Sequence, residues 1–517
     1  MIELNSSVAL LGLALTSIYA FYALLKLYHH VQYSPLNAAK DAHWSVKFTA
    51  AWVWWKTVNE VDAQAIHDAH VRLGPVVRVG PHEISVNDVD GGLKPIYEGR
   101  LPKTDLYQLA VAFGEPPMFA IRNEDSHRRQ KRLLAKPYGK TFLMGSREWQ
   151  EERAKLADDF VSGLDKLVQP RPDVELYDIL FAWSMATMST YVFGQDRAVN
   201  LLHNLPEAQR MRKAYYRQRA YLFIQASLPI PAKVFDWLGF RSELEFIRAL
   251  QKQTEQAEQS AGTARSTDGR TSVYSFMRSS VFAAREKKDS EKLELSPKET
   301  AIITSEMQDH FVAGIDTSVI GLMTCAWELS SESNKHWQDR LREEVRSARN
   351  ASSQRHPDLE GQPVLDAIVR ETLRLHPPGL GNLPRYTDKP IILGPPGHEV
   401  MVPAGVQVSC QALSLHRKPS VFKDPDDFRP ERWLDATPEE RKEMDRWFWA
   451  FGSGSRKCVG EHLALGSLRV AMAAIWGNFE TSTTDDPEFV LSKGLIATPL
   501  PNKHRDYLRL HVRRVQE

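Results

Sequence analysis

Three hydrophobic patterns follow one another along this chain, and each predicts a different element. The first is an unbroken run: Ser6 to Leu25 holds 20 residues without a charge. As a helix rising 1.5 Å per residue it spans ~30 Å, the thickness of a hydrocarbon core. Glu3 precedes it, and Lys26, His29, His30 and Lys40 follow. Positive charge on the C-terminal side holds the rest of the chain in the cytosol. No basic segment precedes the run and no clear A-x-A site follows, which favours an uncleaved anchor over a secretory signal. The expected division is a membrane anchor at 1–26, a membrane-proximal linker at 27–60 and one large domain at 61–517. The linker carries Trp44, Trp52, Trp54 and Trp55, which suit either a lipid–water interface or a packed core.

The second pattern has period two. Leu73–Asp88 reads VVRV, a Gly-Pro turn, then EISV, which predicts a β-hairpin. Strand-like pieces return at Glu399–Val402 and Val406–Ser409. The third pattern is helical and dominates from about 100 to 380. A polar Gly/Ser/Thr-rich stretch at 253–270 interrupts it and reads as an exposed loop. The fold class expected is mainly α: a large helical body with small β-sheets, preceded by one transmembrane helix.

One helix is unusually well signalled. Ser296-Pro297-Lys298-Glu299 is a capping box with proline at the first helical position. The apolar helix it opens runs to about Ser330, roughly 50 Å. In its middle stands AGIDTS, Ala313–Ser318. Gly314 costs such a helix ~1 kcal/mol relative to alanine, and an unpartnered Asp316 costs more. Local rule violations of this kind mark functional sites. A later amphipathic helix carries Leu365, Ile368, Val369 and Leu373 and ends before Pro377-Pro378. On it Glu371 and Arg374, at i and i+3, share a face and can pair.

Composition narrows the classes. Lys+Arg is 66 against 65 Asp+Glu, so nothing supports a nucleic-acid binder. Hydrophobic residues at 42% and charged residues at 25% exclude wholesale disorder. Three cysteines, Cys325, Cys410 and Cys458, build no disulfide scaffold and fit a reducing compartment.

The chemistry concentrates around Cys458, in FGSGSRKCVG, Phe451–Gly460. The pattern F-x-x-G-x-R-x-C-x-G has five specified positions and arises by chance about once in a few million windows. Gly454 and Gly460 allow a tight turn and close approach of backbone to a flat cofactor. Val459–Leu465 begins a helix, and its orphan N–H groups and dipole favour a thiolate at Cys458. Two plainer readings compete: a small buried hydrophobe, or a zinc half-site with His462 at i+4. No second Cys/His pair accompanies that half-site.

This segment resembles the haem-ligand loop of the cytochrome P450 family. The resemblance implies haem b with Cys458 as the axial metal ligand, shielded by Phe451, and Arg456 on a propionate. AGIDTS resembles the family's A-G-x-[DE]-T-[ST] motif. There Gly314 would open the helix to admit dioxygen, and Asp316 and Thr317 would deliver protons. Phe428–Trp433 (FRPERW) resembles another family element, which would join Arg432 to Glu371 and Arg374 in a structural triad. Arg385, in Leu-Pro-Arg, matches a propionate-binding arginine. His127 and Lys131 stand where many relatives carry Trp and Arg, and Ser467 where many carry Glu.

By resemblance the substrate pocket is lined by 104–122, 220–228, Phe311, Ala313, Gly379–Leu383 and Leu495–Leu500. His310, on the same helix face as Ala313, either meets a polar substrate group or packs against a neighbouring helix. The implied function is a haem-thiolate monooxygenase oxidising a lipophilic small molecule with O2 and NADPH-derived electrons. The Leu73–Asp88 hairpin looks most like fungal microsomal members, often found in secondary-metabolite pathways. Location at the endoplasmic reticulum membrane is implied, with the catalytic domain cytosolic. No flavin domain follows the cysteine, so NADPH-cytochrome P450 reductase is the expected partner, met by Lys442, Arg446 and Lys457. Two other functions compete: a P450-fold isomerase or dehydrase acting on peroxides, which the Asp316–Thr317 pair argues against, and a non-catalytic haem sensor.

Overall fold

The computed structural model describes residues 14–515 except 20, 23–24, 27, 29–30, 112–113, 228–251, 253, 257, 260–271, 286–293 and 352–358. The polar stretch at 253–270 therefore lies mostly outside the described residues, as do the side chains at 220–228 and the first half of the expected anchor.

A five-stranded sheet ties the two ends of the domain together. Its strands are β1 (Lys40–Asp41), β2 (Val76–Gly80), β3 (Glu83–Val86), β4 (Arg385–Tyr386) and β5 (Gln407–Ser409), in the order β1-β2-β3-β5-β4. The expected hairpin is β2–β3, antiparallel with Val76 opposite Val86 and a register shift near Gly80. Every residue of β2 is buried, including Arg78. That guanidinium is tolerated because it donates to Asn37 Oδ1 (3.1 Å) and to the carbonyls of Gly80 (3.3 Å) and Pro81 (2.7 Å).

The helical body surrounds one long helix. Its relevant parts are α1 (Ala51–Val58), α2 (Asp62–Leu73), α3 (Glu124–Tyr138), α4 (Tyr177–Phe193), α5 (Leu205–Ser227), α6 (Pro297–Ser330), α7 (Pro363–Leu375) and α8 (Glu461–Trp476). The capping box on α6 forms as expected: Ser296 Oγ accepts from Glu299 N, and the Glu299 carboxylate accepts from Ser296 N. α6 packs against α4, α7 and α8. Phe311, Ile315, Val319 and Met323 from α6 share a core with Trp183, Leu373, Leu468 and Met472. Each such side chain contributes ~1.5–3 kcal/mol by leaving water. A helix enclosed on all sides is apolar all round, and α6 shows why that pattern alone does not mean a membrane span. Among the described residues it is the one helix long and apolar enough to cross a membrane, and 67% of that stretch is buried.

Near the N-terminus the described residues 14–19, 21–22, 25–26 and 28 are helical. Their large apolar side chains, Leu15, Ile18, Tyr19, Phe21, Tyr22 and Leu25 among them, are exposed. The tryptophans divide. Trp44, Trp54 and Trp55 are exposed, and α1 buries no residue, whereas Trp52 packs against a small cluster of Ala42, Ile66 and Val77.

A second core fills the space under the sheet, with Ile84, Val86, Tyr97, Val408, Cys410, Trp433 and Trp449. The Cys458 loop lies at the junction: Trp449 belongs to this core and Phe451 packs against the first.

Candidate active site

The loop around Cys458 is a constrained turn. Gly452 and Gly454 have φ of +70° and +68°, the left-handed region that only glycine enters cheaply. A Cβ on Gly454 would stand 2.5 Å from the Tyr97 carbonyl oxygen. Gly460 differs from expectation: it caps α8 at φ −85°, and a Cβ there would meet the Cys458 sulfur at an ordinary 3.9 Å. The Phe451 carbonyl accepts from Cys458 N (2.9 Å), so the turn closes on itself.

Of the three cysteines, Cys325 and Cys410 are fully buried in core positions, and burial pushes both thiols far up. Cys458 is exposed, yet burial among protein atoms is also the largest influence on its thiol. Both hold if the sulfur faces an internal space. The helix end acts on this thiol in the expected direction, but other groups weigh on it as well. The Gly460 N–H, Lys457 and Lys131 lower the pKa, burial and Glu461 raise it, and the net shift is upward. A coordinating cation reverses that balance, because a metal-bound thiol is deprotonated outright.

Near Cys458 lies a cluster of buried and part-buried basic side chains. Arg385 donates to Tyr107 Oη (2.5 Å) and to the Pro384 carbonyl (2.9 Å). Arg456 donates to the carbonyls of Ile121 (2.7 Å) and Arg122 (3.1 Å) and pairs with Glu124 (3.3 Å). Lys131 donates to the Ser455 carbonyl at 2.9 Å, bracing the cysteine loop from α3. His127 is buried; burial first, then Arg456, Lys103 and Lys131, push it down to about 3. Sequence reasoning missed Lys103. It is 4% exposed, its backbone bridges to Arg385, and its ammonium donates to the Phe119 carbonyl. Burial, then Arg385 and Arg456, push its pKa down to about 6. Five basic side chains crowd one region, where burial and repulsion push Lys103 and His127 below neutrality, and a negative charge placed among them would relieve that. The two propionates of a haem supply that charge, so the residues present fit the group.

The middle of α6 carries the second set of expected residues. Ala313 is exposed and Thr317 half-buried, four residues apart on one face of a helix otherwise mostly sealed. Thr317 Oγ1 donates to the Ala313 carbonyl (2.7 Å). Asp316 is buried on another face, and its Oδ1 accepts from Tyr216 Oη of α5 (2.7 Å). Sequence reasoning did not anticipate Tyr216. At Gly314 an added Cβ would stand 2.3 Å from the Met188 sulfur of α4, so this glycine also allows close helix–helix contact. Phe311 differs from expectation, being fully buried with its ring 6.0 Å from that of Phe193. His310 is buried against α3, sharing a hydrogen bond with Tyr138 Oη (2.8 Å). Gly379 is exposed, and its segment meets the 495–500 strip through Gly381 N to the Leu495 carbonyl (3.1 Å) and Ala497 N to the Pro378 carbonyl (2.9 Å).

The expected triad is complete. Arg374 forks onto Glu371 (Nε–Oε2 2.9 Å, Nη2–Oε1 2.8 Å), and Arg432 Nε reaches Oε1 at 3.0 Å. Arg429 N (2.9 Å) and Trp433 Nε1 (2.8 Å) fill the remaining acceptor sites. The basic patch near the cysteine is less free than its sequence suggested. Lys457 pairs with Glu461 (2.6 Å), and Arg446 pairs with Asp90 (2.6 Å) and Glu443 (2.5 Å), while Lys442 is exposed. No Cys458–His462 metal group forms among the described residues.

Comparison with known proteins agrees with this geometry. The cytochrome P450 family model matches residues 95–505. Cytochrome P450 monooxygenase FGM1 of Gibberella zeae is 24% identical, over 91% of this chain and 90% of its own. Tryprostatin B 6-hydroxylase of Aspergillus fumigatus is 24% identical, over 90% and 78%. Cytochrome P450 monooxygenase tpcB of Cochliobolus heterostrophus is 23% identical, over 99% and 97%. The chain belongs to the cytochrome P450 family and is a haem-thiolate monooxygenase, with iron bound through a cysteine.

Proposed function

We propose that the chain oxidises a lipophilic small molecule of fungal secondary metabolism, using O2 and electrons relayed from NADPH by a separate reductase. The observation that carries this reading is Cys458: an exposed cysteine in a glycine-constrained turn braced by Lys131, in a chain whose long helix α6 leaves Ala313 exposed and Thr317 half-buried. When bound, haem supplies oxygen activation. The chain's residues then act around it. Cys458 would ligate the iron, and Lys103, His127, Lys131, Arg385 and Arg456 would balance the propionates. Thr317 would hold a proton at Oγ1 on the open face of α6. Asp316, oriented by Tyr216, would pass protons to that face from the α5 side. Glu371, Arg374 and Arg432 keep the segments behind the loop in place.

Residues 1–26 would anchor the chain to the endoplasmic reticulum membrane, and 61–517 would be the catalytic domain, with 27–60 near the membrane but joined to that domain through the Lys40–Asp41 strand. The exposed apolar side chains of Leu15, Ile18, Tyr19, Phe21, Tyr22 and Leu25 and exposed Trp44, Trp54 and Trp55 support this placement. NADPH-cytochrome P450 reductase would dock at the cysteine side, with Lys442 the freest of the three cations proposed.

The test is reconstitution with that reductase and metabolite extract from a strain lacking the gene. NADPH-dependent incorporation of one 18O atom from 18O2 into a product is expected. Conversion of a hydroperoxide without NADPH or 18O uptake would instead establish the isomerase.

A further inference from the structure

We propose that Glu306, Asp309 and His310, on one turn of α6, bind a divalent transition-metal ion separate from the haem iron. The three residues stand at i, i+3 and i+4, so they share one helix face. Their potential ligand atoms all lie within 4.8 Å of one another.

The geometry asks for a cation. Glu306 is 0% exposed and His310 6%. Glu306 Oε1 and His310 Nε2 face each other 3.0 Å apart as an ion pair whose geometry is off the line of a well-aligned N–H bond, and neither atom has another hydrogen-bond partner. The other polar atoms of both side chains are already engaged. Glu306 Oε2 accepts from Met118 N (2.9 Å) and Gln130 Nε2 (3.0 Å), and His310 Nδ1 shares its hydrogen bond with Tyr138 Oη. If Nδ1–H donates to the phenol oxygen, Nε2 turns a lone pair toward a carboxylate oxygen. Two acceptors facing each other at that distance need a positive charge between them.

The surroundings fit an ion better than a lone proton. A proton on Nε2 is not aimed at Oε1, whereas an ion can sit off the line joining them. Asp309 adds a second carboxylate. Burial, then Glu306, push it up to about 7, against the lowering effects of His310, Lys103 and the Phe119 N–H. Tyr138, Gln130 and Met118 hold the inner atoms as outer partners hold metal ligands. One imidazole nitrogen with two carboxylate oxygens is a borderline set, suited to Zn2+, Mn2+ or Fe2+ rather than Mg2+ or Ca2+. Asp309 is part-buried and lies one turn from Ala313, which is exposed. The inference does not depend on the substrate or the electron donor.

The test uses the haem-loaded full chain, stripped with a chelator and titrated with Zn2+ alone by calorimetry. Bound zinc and haem are then counted together by elemental analysis. One tight zinc per haem is expected. Glu306→Gln and His310→Gln should weaken binding more than about 100-fold, and Tyr138→Phe, which removes an outer partner, by about 10–100-fold. The carbonyl spectrum reports whether each variant still holds haem. Asp309→Asn replaces the least buried of the three side chains, so it tests the site if the Glu306 and His310 variants fail to fold. No saturable site in the unmodified chain, or equal affinity in Asp309→Asn and Tyr138→Phe, would overturn the proposal and leave Glu306–His310 a proton-held pair.

Discussion

Glu371→Gln tests the buried triad with the smallest possible change in shape. The carboxylate accepts five hydrogen bonds: two from Arg374 and one each from Arg432, Arg429 N and Trp433 Nε1. Glu371 and Arg374 are both 0% exposed. The amide keeps one acceptor oxygen but removes the charge, leaving the Arg374 guanidinium buried without its counter-ion. Breaking a buried pair from one side costs about 3–5 kcal/mol. A whole domain holds about 5–15 kcal/mol, so the variant forfeits a large share of its stability. The pH dependence has a definite sign. Burial raises the Glu371 pKa, but the Arg374 fork and the charges of Arg374 and Arg432 outweigh it and hold the group below its ordinary 4.5. Its contribution is therefore complete above that value and lost as pH falls through the folded pKa. Urea unfolding of the haem-loaded protein, followed by circular dichroism, gives the difference if m is unchanged. The gap between the two proteins should be full at pH 7 and narrow below about pH 4.5. A loss under about 1 kcal/mol at pH 7, the range of exposed pairs, would refute the assignment of this carboxylate as the buried counter-ion.

Three further outcomes are expected. Tyr216→Phe should leave haem content unchanged but divert NADPH electrons into peroxide, because Asp316 loses its phenol donor; unchanged coupling would take Tyr216 out of proton delivery. Lys103 has its folded pKa near 6 against an ordinary 10.5, so the haem-free protein should gain stability as pH rises between those values. Lys103→Met should abolish that slope while speeding haem loss to apomyoglobin; a variant with the original slope and haem retention would contradict the cation cluster. Deleting residues 1–26 should sharply reduce membrane association with the haem spectrum intact, and a truncated chain unable to bind haem would make the segment part of the fold.

Much of this was legible because it is local. The bounds of α6 follow from a capping box and an apolar run, and both appear in the fold at Pro297 and Ser330. The Glu371–Arg374 pair follows from helical spacing. What escaped depends on distant segments meeting. Gly314 violates helix propensity, but the sequence does not say which face it occupies; Met188, from another helix, decides that. Lys103 sits among polar and apolar neighbours like any surface lysine, and only the bridge to Arg385 buries it. The Cys458 thiol was read from the helix end, whereas the mass of protein around it outweighs that influence. Tyr216 and Asp316 are 100 residues apart and meet across two helices.

The central claim is that Cys458 carries the iron. Reduced protein treated with carbon monoxide should show the red-shifted Soret band of thiolate ligation. Cys325→Ala and Cys410→Ala, changed at core positions away from the loop, should keep it, and Cys458→Ala should lose it. A Cys458→Ala protein that retains the band would contradict the account.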